Sequence, residues 1–285
     1  MVPYIQPICK GREACILLLL DESCSMEEPL GHGSQRKCDV LARAVNTWLQ
    51  YMAIRSSGDN GINGVADIGI YGYRTDSNAN TIVESLFQGP LAGETLPSIV
   101  EIGNNPLGIE TVTKLLVDED TGEIIETPSQ MPVWVDLKSE GGSPLCGMLY
   151  HAYDIIEQWI AAHLRSFPPI VINVTDGESQ DGDPFPYAEA LTNLNTEDGN
   201  VLLFNCHLSM TSDDPCLFPS TDEVLPDKLA RDLFRMSSVL PESFICHANA
   251  DGFDLQPNAR GMAFNADKST LIRFLEYVTE IRLHV

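Results

Sequence analysis

ACILLLLDESCS, residues 14–25, is the stretch on which the reading of this chain turns. Ala14 to Leu20 is a run of seven apolar residues that stops abruptly at Asp21. Seven residues are too few to span a bilayer, and no small-residue cleavage site follows, so neither a membrane span nor a signal peptide is expected. A short apolar run bounded by charge fits a strand of a parallel sheet, buried on both faces. Directly after it, Asp21, Ser23 and Ser25 alternate, and a curling loop would turn one carboxylate and two hydroxyls into a single pocket.

Working outward, residues 36–56 predict a helix, because Val40, Leu41, Ala44, Val45, Trp48, Leu49 and Met52 fall on one face. Residues 65–73 (VADIGIYGY) predict a second strand. Between about 75 and 135 the pattern becomes β-rich, with strand-like pieces near 81–87 and 110–117. There Asp120-Thr121-Gly122 separates TKLLV from EIIET in the manner of a hairpin turn. This stretch has too few apolar residues for a core of its own and is expected as an edge strand plus an inserted β-hairpin within one 285-residue domain. Residues 144–165 form the clearest helix, opened by Ser143 as a cap and Pro144 at the first helical position. IVINVT then predicts a third buried strand ending at Asp176. Further expectations are a helix over 187–194, a strand over 201–208, a helix over 222–238, a short strand near 243–247 or 261–265, and a last helix over 268–282. Strands alternating with helices imply an α/β fold with a mostly parallel sheet. In such sheets ligands bind at the carboxyl ends of the strands, where the strand order reverses.

Two more loops bring chemistry to those ends. Gly141-Gly142-Ser143-Pro144 offers a hydroxyl at a helix start, and Thr175-Asp176-Gly177-Glu178 adds a second carboxylate. Two carboxylates with several hydroxyls, and no His or Cys at matching places, make a hard oxygen site suited to Mg²⁺ or Mn²⁺ rather than zinc. Taken alone, each motif could be an ordinary turn or cap, since Asp and Ser favour such positions.

DESCS, GGSP and TDG, in this order, resemble the DxSxS, GGTP and TDG elements of the von Willebrand factor A-type family with its metal-ion-dependent adhesion site, and the resemblance covers most of the chain. It implies a three-layer α/β/α Rossmann-like fold with an antiparallel edge strand. It also implies metal ligation by Asp21, Ser23, Ser25, Ser143 and Asp176, with Ser143 standing where the family usually has Thr. The cofactor implied is Mg²⁺, or Mn²⁺ or Ca²⁺, and the activity is non-catalytic binding of a protein partner that presents an Asp or Glu to the ion. Residues 259–267 and the β-rich insert resemble bacterial cytosolic members of the tellurite-resistance and stress-response type, which implies a kinase-like protein and a PP2C-type phosphatase as partners.

The formal net charge of −24 argues against non-specific nucleic-acid binding. The eight cysteines include no CxxC pair, and with no signal peptide in view they imply reduced thiols and a cytoplasmic location. Cys15 and Cys206 fall in expected strands, where a thiol acts as a small apolar group. Trp48 and Trp159 read as core residues, Glu178 as a solvated loop residue, and His32 as a loop residue near the site's rim. The competing functions are a phosphatase-like, metal-dependent hydrolase and a metal-free scaffold binding through the hairpin. Haloacid dehalogenase-type phosphatases need a second Asp where Ser23 stands and a lysine near the later acid, and no lysine lies close to Asp176 in sequence. GxSxG and Walker motifs are absent.

Overall fold

The computed structural model describes residues 4–31, 33–58, 61–62, 64–117, 124–209, 214–223 and 225–279. In chain order the strands are β1 (Ala14–Asp21), β2 (Ser57–Gly58), β3 (Gly61–Ile62), β4 (Ala66–Thr75), β5 (Thr81–Ser85), β6 (Gly108–Val117), β7 (Ile124–Val133), β8 (Ile170–Thr175), β9 (Asn195–Thr196), β10 (Gly199–Asn200), β11 (Leu202–Leu208), β12 (Cys216–Leu217) and β13 (Met262–Ala266). The helices are α1 (Lys37–Arg55), α2 (Ile99–Asn104), α3 (Leu145–Ala162), α4 (Phe185–Asn193), α5 (Lys228–Met236), α6 (Glu242–Ala250) and α7 (Lys268–Thr279).

Seven strands form the main sheet in the order β12-β13-β11-β8-β1-β4-β5. The central β1 is buried along its whole length, and its side chains divide by parity because successive residues of a strand face opposite ways. Ile16, Leu18 and Leu20 pack with Trp48 and Leu49 of α1 and Phe274 of α7. Cys15, Leu17 and Leu19 pack with Leu149 and Ile156 of α3, Leu191 of α4 and Leu233 of α5. From β1 the chain moves through β4 and β5 on one side, then returns to β8, β11 and β13 on the other. The order therefore reverses at the β1/β8 junction, where the connecting chains part and leave a crevice.

The architecture corrects the expected A-type fold. The sheet is mixed: β13, β11, β8, β1 and β4 run parallel, but β12 and β5 pair antiparallel at both edges. Three separate two-stranded antiparallel sheets stand beside it, β2 with β3, β6 with β7, and β9 with β10. Two-residue strands such as Cys216–Leu217 are too short to leave a hydrophobic period, so nothing local announces the second antiparallel edge.

Other differences are local. Residues 243–247 lie in α6 rather than a strand, and Phe244, Ile245 and Ala248 form its buried face. The expected helix over 222–238 is only Lys228–Met236, because Asp227 caps it by accepting from the Ala230 amide at 2.8 Å. Ser143 does not cap α3, since its hydroxyl is turned to Asp21. The first-turn amides of Cys146 and Gly147 are instead accepted by Asp181 at 3.0 and 2.8 Å. The Asp120-Thr121-Gly122 turn and residues 280–282 lie outside the described residues, as do His32 and His284.

At the base of the β6–β7 ribbon the Asn46 side chain of α1 makes four hydrogen bonds. Asn46 donates to the Ala42 and Val135 carbonyls, both at 2.9 Å, and accepts from the Trp134 and Val135 amides at 2.8 and 3.2 Å.

Candidate functional site

The loop after β1, the loop before α3 and the end of β8 meet at the crevice. Backbone contacts hold them in place: the Cys24 amide donates to the Gly141 carbonyl at 2.9 Å, and the Glu140 amide donates to the Glu22 carbonyl at 2.8 Å. The Gly142 amide reaches the Thr75 hydroxyl at 2.7 Å. Gly141 has φ +66°, and a Cβ there would collide with the Thr75 carbonyl oxygen, so the loop can approach β4 this closely only as glycine.

All five residues singled out by sequence gather here. Asp21 is fully buried, and its Oδ1 accepts from the Ser23 amide at 2.9 Å. Its Oδ2 accepts from the hydroxyls of Ser143 at 2.8 Å and Thr175 at 2.7 Å. The Ser23 and Ser25 hydroxyls lie 3.0 Å apart, and Ser25 donates to Asp176 Oδ1 at 2.7 Å. Burial raises the Asp21 pKa above the ordinary carboxylate value, and the hydrogen bonds from Ser23, Thr175 and Ser143 only partly offset it. The acid is thus held, at a strand end, in surroundings that disfavour its ionised form.

Sequence reasoning missed several residues around this cluster. Thr175, in sequence no more than the first residue of TDG, bonds Asp21 directly. Lys37, at the start of α1, is 139 residues from Asp176 in the chain, yet its Nζ donates to Asp176 Oδ2 at 2.8 Å. The same ammonium is 3.2 Å from Glu28 Oε2 and 3.4 Å from the Ser25 carbonyl, with only 4% of the side chain exposed. No local motif announces such a contact, and only the reserve of alternating strands and helices placed α1 near the site at all.

Glu22, the variable position between Asp21 and Ser23, is also fully buried. It accepts from Arg74 at 2.8 Å and from the Lys138 amide at 2.7 Å, and Arg74 bridges on to Glu84 at 2.8 Å. This ion pair locks β1, β4 and β5 beside the crevice. On the other flank a buried chain runs from the Tyr73 hydroxyl to Asn173 at 2.9 Å, then to Asn205 at 3.1 Å and Ser237 at 3.0 Å. His207 is stacked on Phe264 with ring centroids 4.4 Å apart, and burial lowers its pKa to about 4. Among the described residues its Nδ1 has no hydrogen-bond partner. Glu178 is exposed, as a solvated loop residue should be. Trp48 and Trp159 are buried in the two cores, and the described histidines do not converge.

The donor set tests what the site can hold. Two carboxylates and four hydroxyls, with no ring nitrogen or thiol bonded among them, fit a hard cation and not a soft one. Among the described residues no three His, Cys, Asp or Glu side chains come together as a metal group, so acid ligands alone do not make this site.

No family model and no curated protein matches the chain. Solved structures similar to it include pilus proteins. Three N-terminal domains of the type V pilus tip protein Mfa5 from Porphyromonas gingivalis match 59% of this chain at 12% identity and TM-score 0.31. The pilus adhesin SpaC from Lactobacillus rhamnosus GG matches 95% at 10% identity and TM-score 0.48. The minor pilin PilB from Streptococcus sanguinis matches 96% at 9% identity and TM-score 0.42. The chain spans 20%, 30% and 62% of those chains, less than two thirds of each. Likeness this slight carries no activity over to this chain. No family model supports the assignment made on DESCS, GGSP and TDG: membership of the A-type family, its adhesion-site function and the bacterial stress-response placement are set aside. Three short loop motifs report local geometry at strand ends, which unrelated sequences can share, and so cannot carry a family by themselves.

Proposed function

We propose that the crevice at the carboxyl ends of β1 and β8 binds a hard divalent cation of the Mg²⁺ class, with Mn²⁺ or Ca²⁺ as substitutes, and that this chain binds rather than turns over its ligand. The observation that carries the reading is the convergence of Asp21, Ser23, Ser25, Ser143 and Asp176, from three separated loops, into one hydrogen-bonded oxygen cluster. A bound ion would repay the burial of Asp21, which no cation of the protein contacts directly in the described hydrogen bonds. Asp21, Ser23, Ser25, Ser143 and Asp176 would supply oxygens, and water or an outside oxygen ligand would complete the shell. A non-catalytic role is favoured because the four hydroxyls bond to carboxylates, to one another or to backbone. Among the described residues none is bonded to a histidine or lysine side chain that would activate it as a nucleophile.

The test is calorimetry with MgCl₂, MnCl₂ and CaCl₂ on chelator-stripped protein, beside Asp21→Ala. Saturable one-site binding in the wild type and its loss in the variant are expected. Absence of binding in the wild type, or equal binding in the variant, would overturn the reading.

A further inference from the structure

We propose that Lys37 is the residue that sets how tightly the crevice holds a cation and which cation it prefers. This rests on the cation reading above and concerns a residue that reading does not use as a ligand. The Lys37 side chain is 4% exposed, and its ammonium meets three acceptors: Asp176 Oδ2 at 2.8 Å, Glu28 Oε2 at 3.2 Å and the Ser25 carbonyl at 3.4 Å. A lysine is seldom held this deeply, because desolvating an ammonium is costly unless its donors are satisfied.

Two consequences follow for an ion in the same cluster. The first is charge. Of the three carboxylates near the cluster, Asp21, Asp176 and the half-exposed Glu28, the ammonium pairs with the last two, so a divalent ion finds less negative charge there than it would without Lys37. The second is denticity. Asp176 Oδ2 is held by Lys37 while Oδ1 accepts from Ser25, so turning both oxygens to one ion would strain or break one of these bonds. Asp21 is divided in the same way between the Ser23 amide and the Ser143 and Thr175 hydroxyls. Ca²⁺ favours six to eight ligands with bidentate carboxylates, whereas Mg²⁺ accepts single oxygens in octahedral array. Lys37 therefore weakens the site overall and tilts it towards the smaller ion.

The competing account is that Lys37 merely clamps the start of α1 to the end of β8. That account predicts a lower melting temperature on substitution and no change in ion binding. The experiment is calorimetry with MgCl₂ and CaCl₂ on the full chain as wild type, Lys37→Met, Lys37→Arg and Asp21→Ala, each checked for folding by circular dichroism. Lys37→Met should bind Mg²⁺ about tenfold more tightly or better, as expected from removing a unit charge a few ångströms from a divalent ion. It should gain still more for Ca²⁺, and Lys37→Arg should stay near the wild type. If Lys37→Met binds both ions as the wild type does while Asp21→Ala binds neither, the cation reading stands and the role given to Lys37 is overturned. If neither the wild type nor Lys37→Met binds either ion, both fall. Should Lys37→Met not fold, Lys37→Gln carries the same expectation, and the wild type alone decides one point: tighter binding of Ca²⁺ than of Mg²⁺ would overturn the proposal.

Discussion

Replacing Asp21 by Asn tests whether the acid is kept for the fold or for a ligand. Asn has the same shape, and its Oδ1 can still accept from the Ser23 amide, as Asp21 Oδ1 does at 2.9 Å. The Ser143 and Thr175 hydroxyls, which donate to Oδ2 at 2.8 and 2.7 Å, can rotate and accept from the new amide group. No partner is orphaned, and the only loss is the charge. Because burial outweighs the hydrogen bonds at this carboxylate and its pKa is raised, the ionised form is worse off here than in water. The metal-free Asp21→Asn protein should therefore be as stable as the wild type or more stable, by about 1 kcal/mol. With cation at a hundredfold excess over its dissociation constant, the wild type should gain about 2.7 kcal/mol that the variant does not. The order of stability then reverses. The assay is urea unfolding at pH 7 followed by circular dichroism, once in EDTA and once in Mg²⁺ or Mn²⁺. A loss of more than about 1 kcal/mol in EDTA would refute the argument, since it would make the Asp21 charge a structural requirement.

Further expectations follow from the same contacts. Asn46→Leu strips three buried backbone groups of Trp134 and Val135 of their partner, so urea unfolding should show a loss of roughly 3 kcal/mol or more. Asp181→Ala removes the acceptor for the first amides of α3 and should cost about 1 kcal/mol, read as a lower melting temperature. His207, with its pKa lowered to about 4, is neutral in the fold while the unfolded chain takes up a proton near 6.5. Its contribution is fully present above pH 6.5 and is lost as pH falls towards 4, by about 3 kcal/mol in all. Stability measured from pH 7 to 4 should fall less steeply in His207→Gln, and an unchanged slope would refute the assignment.

The strands of the parallel core were legible because a strand buried on both faces must be apolar throughout, as in Ala14–Leu20 and IVINVT. The helices α1 and α3 were legible because one apolar face recurs at helical spacing. Boundaries failed where side chains were drawn into other duties: Ser143 serves Asp21 instead of capping α3, and Asp227 starts α5 later than the pattern suggested. Residues 243–247 gave no usable period, and packing of Phe244, Ile245 and Ala248 decided that they are helical.

What the sequence determined by itself is a set of oxygen-bearing side chains in three loops, because strand termination at Asp21 and Asp176, alternation of Asp21, Ser23 and Ser25, and the Ser143-Pro144 start of a helix are local properties. The tertiary structure alone decided what surrounds them. The Lys37 ammonium on Asp176, the Arg74 bridge from Glu22 to Glu84, the Thr175 hydroxyl on Asp21 and the mixed sheet with its second antiparallel edge all join segments far apart in the chain. Contacts of that kind leave no periodicity to read. They arise only when the helices pack on the sheet and buried charges must find whichever partner the packing brings near.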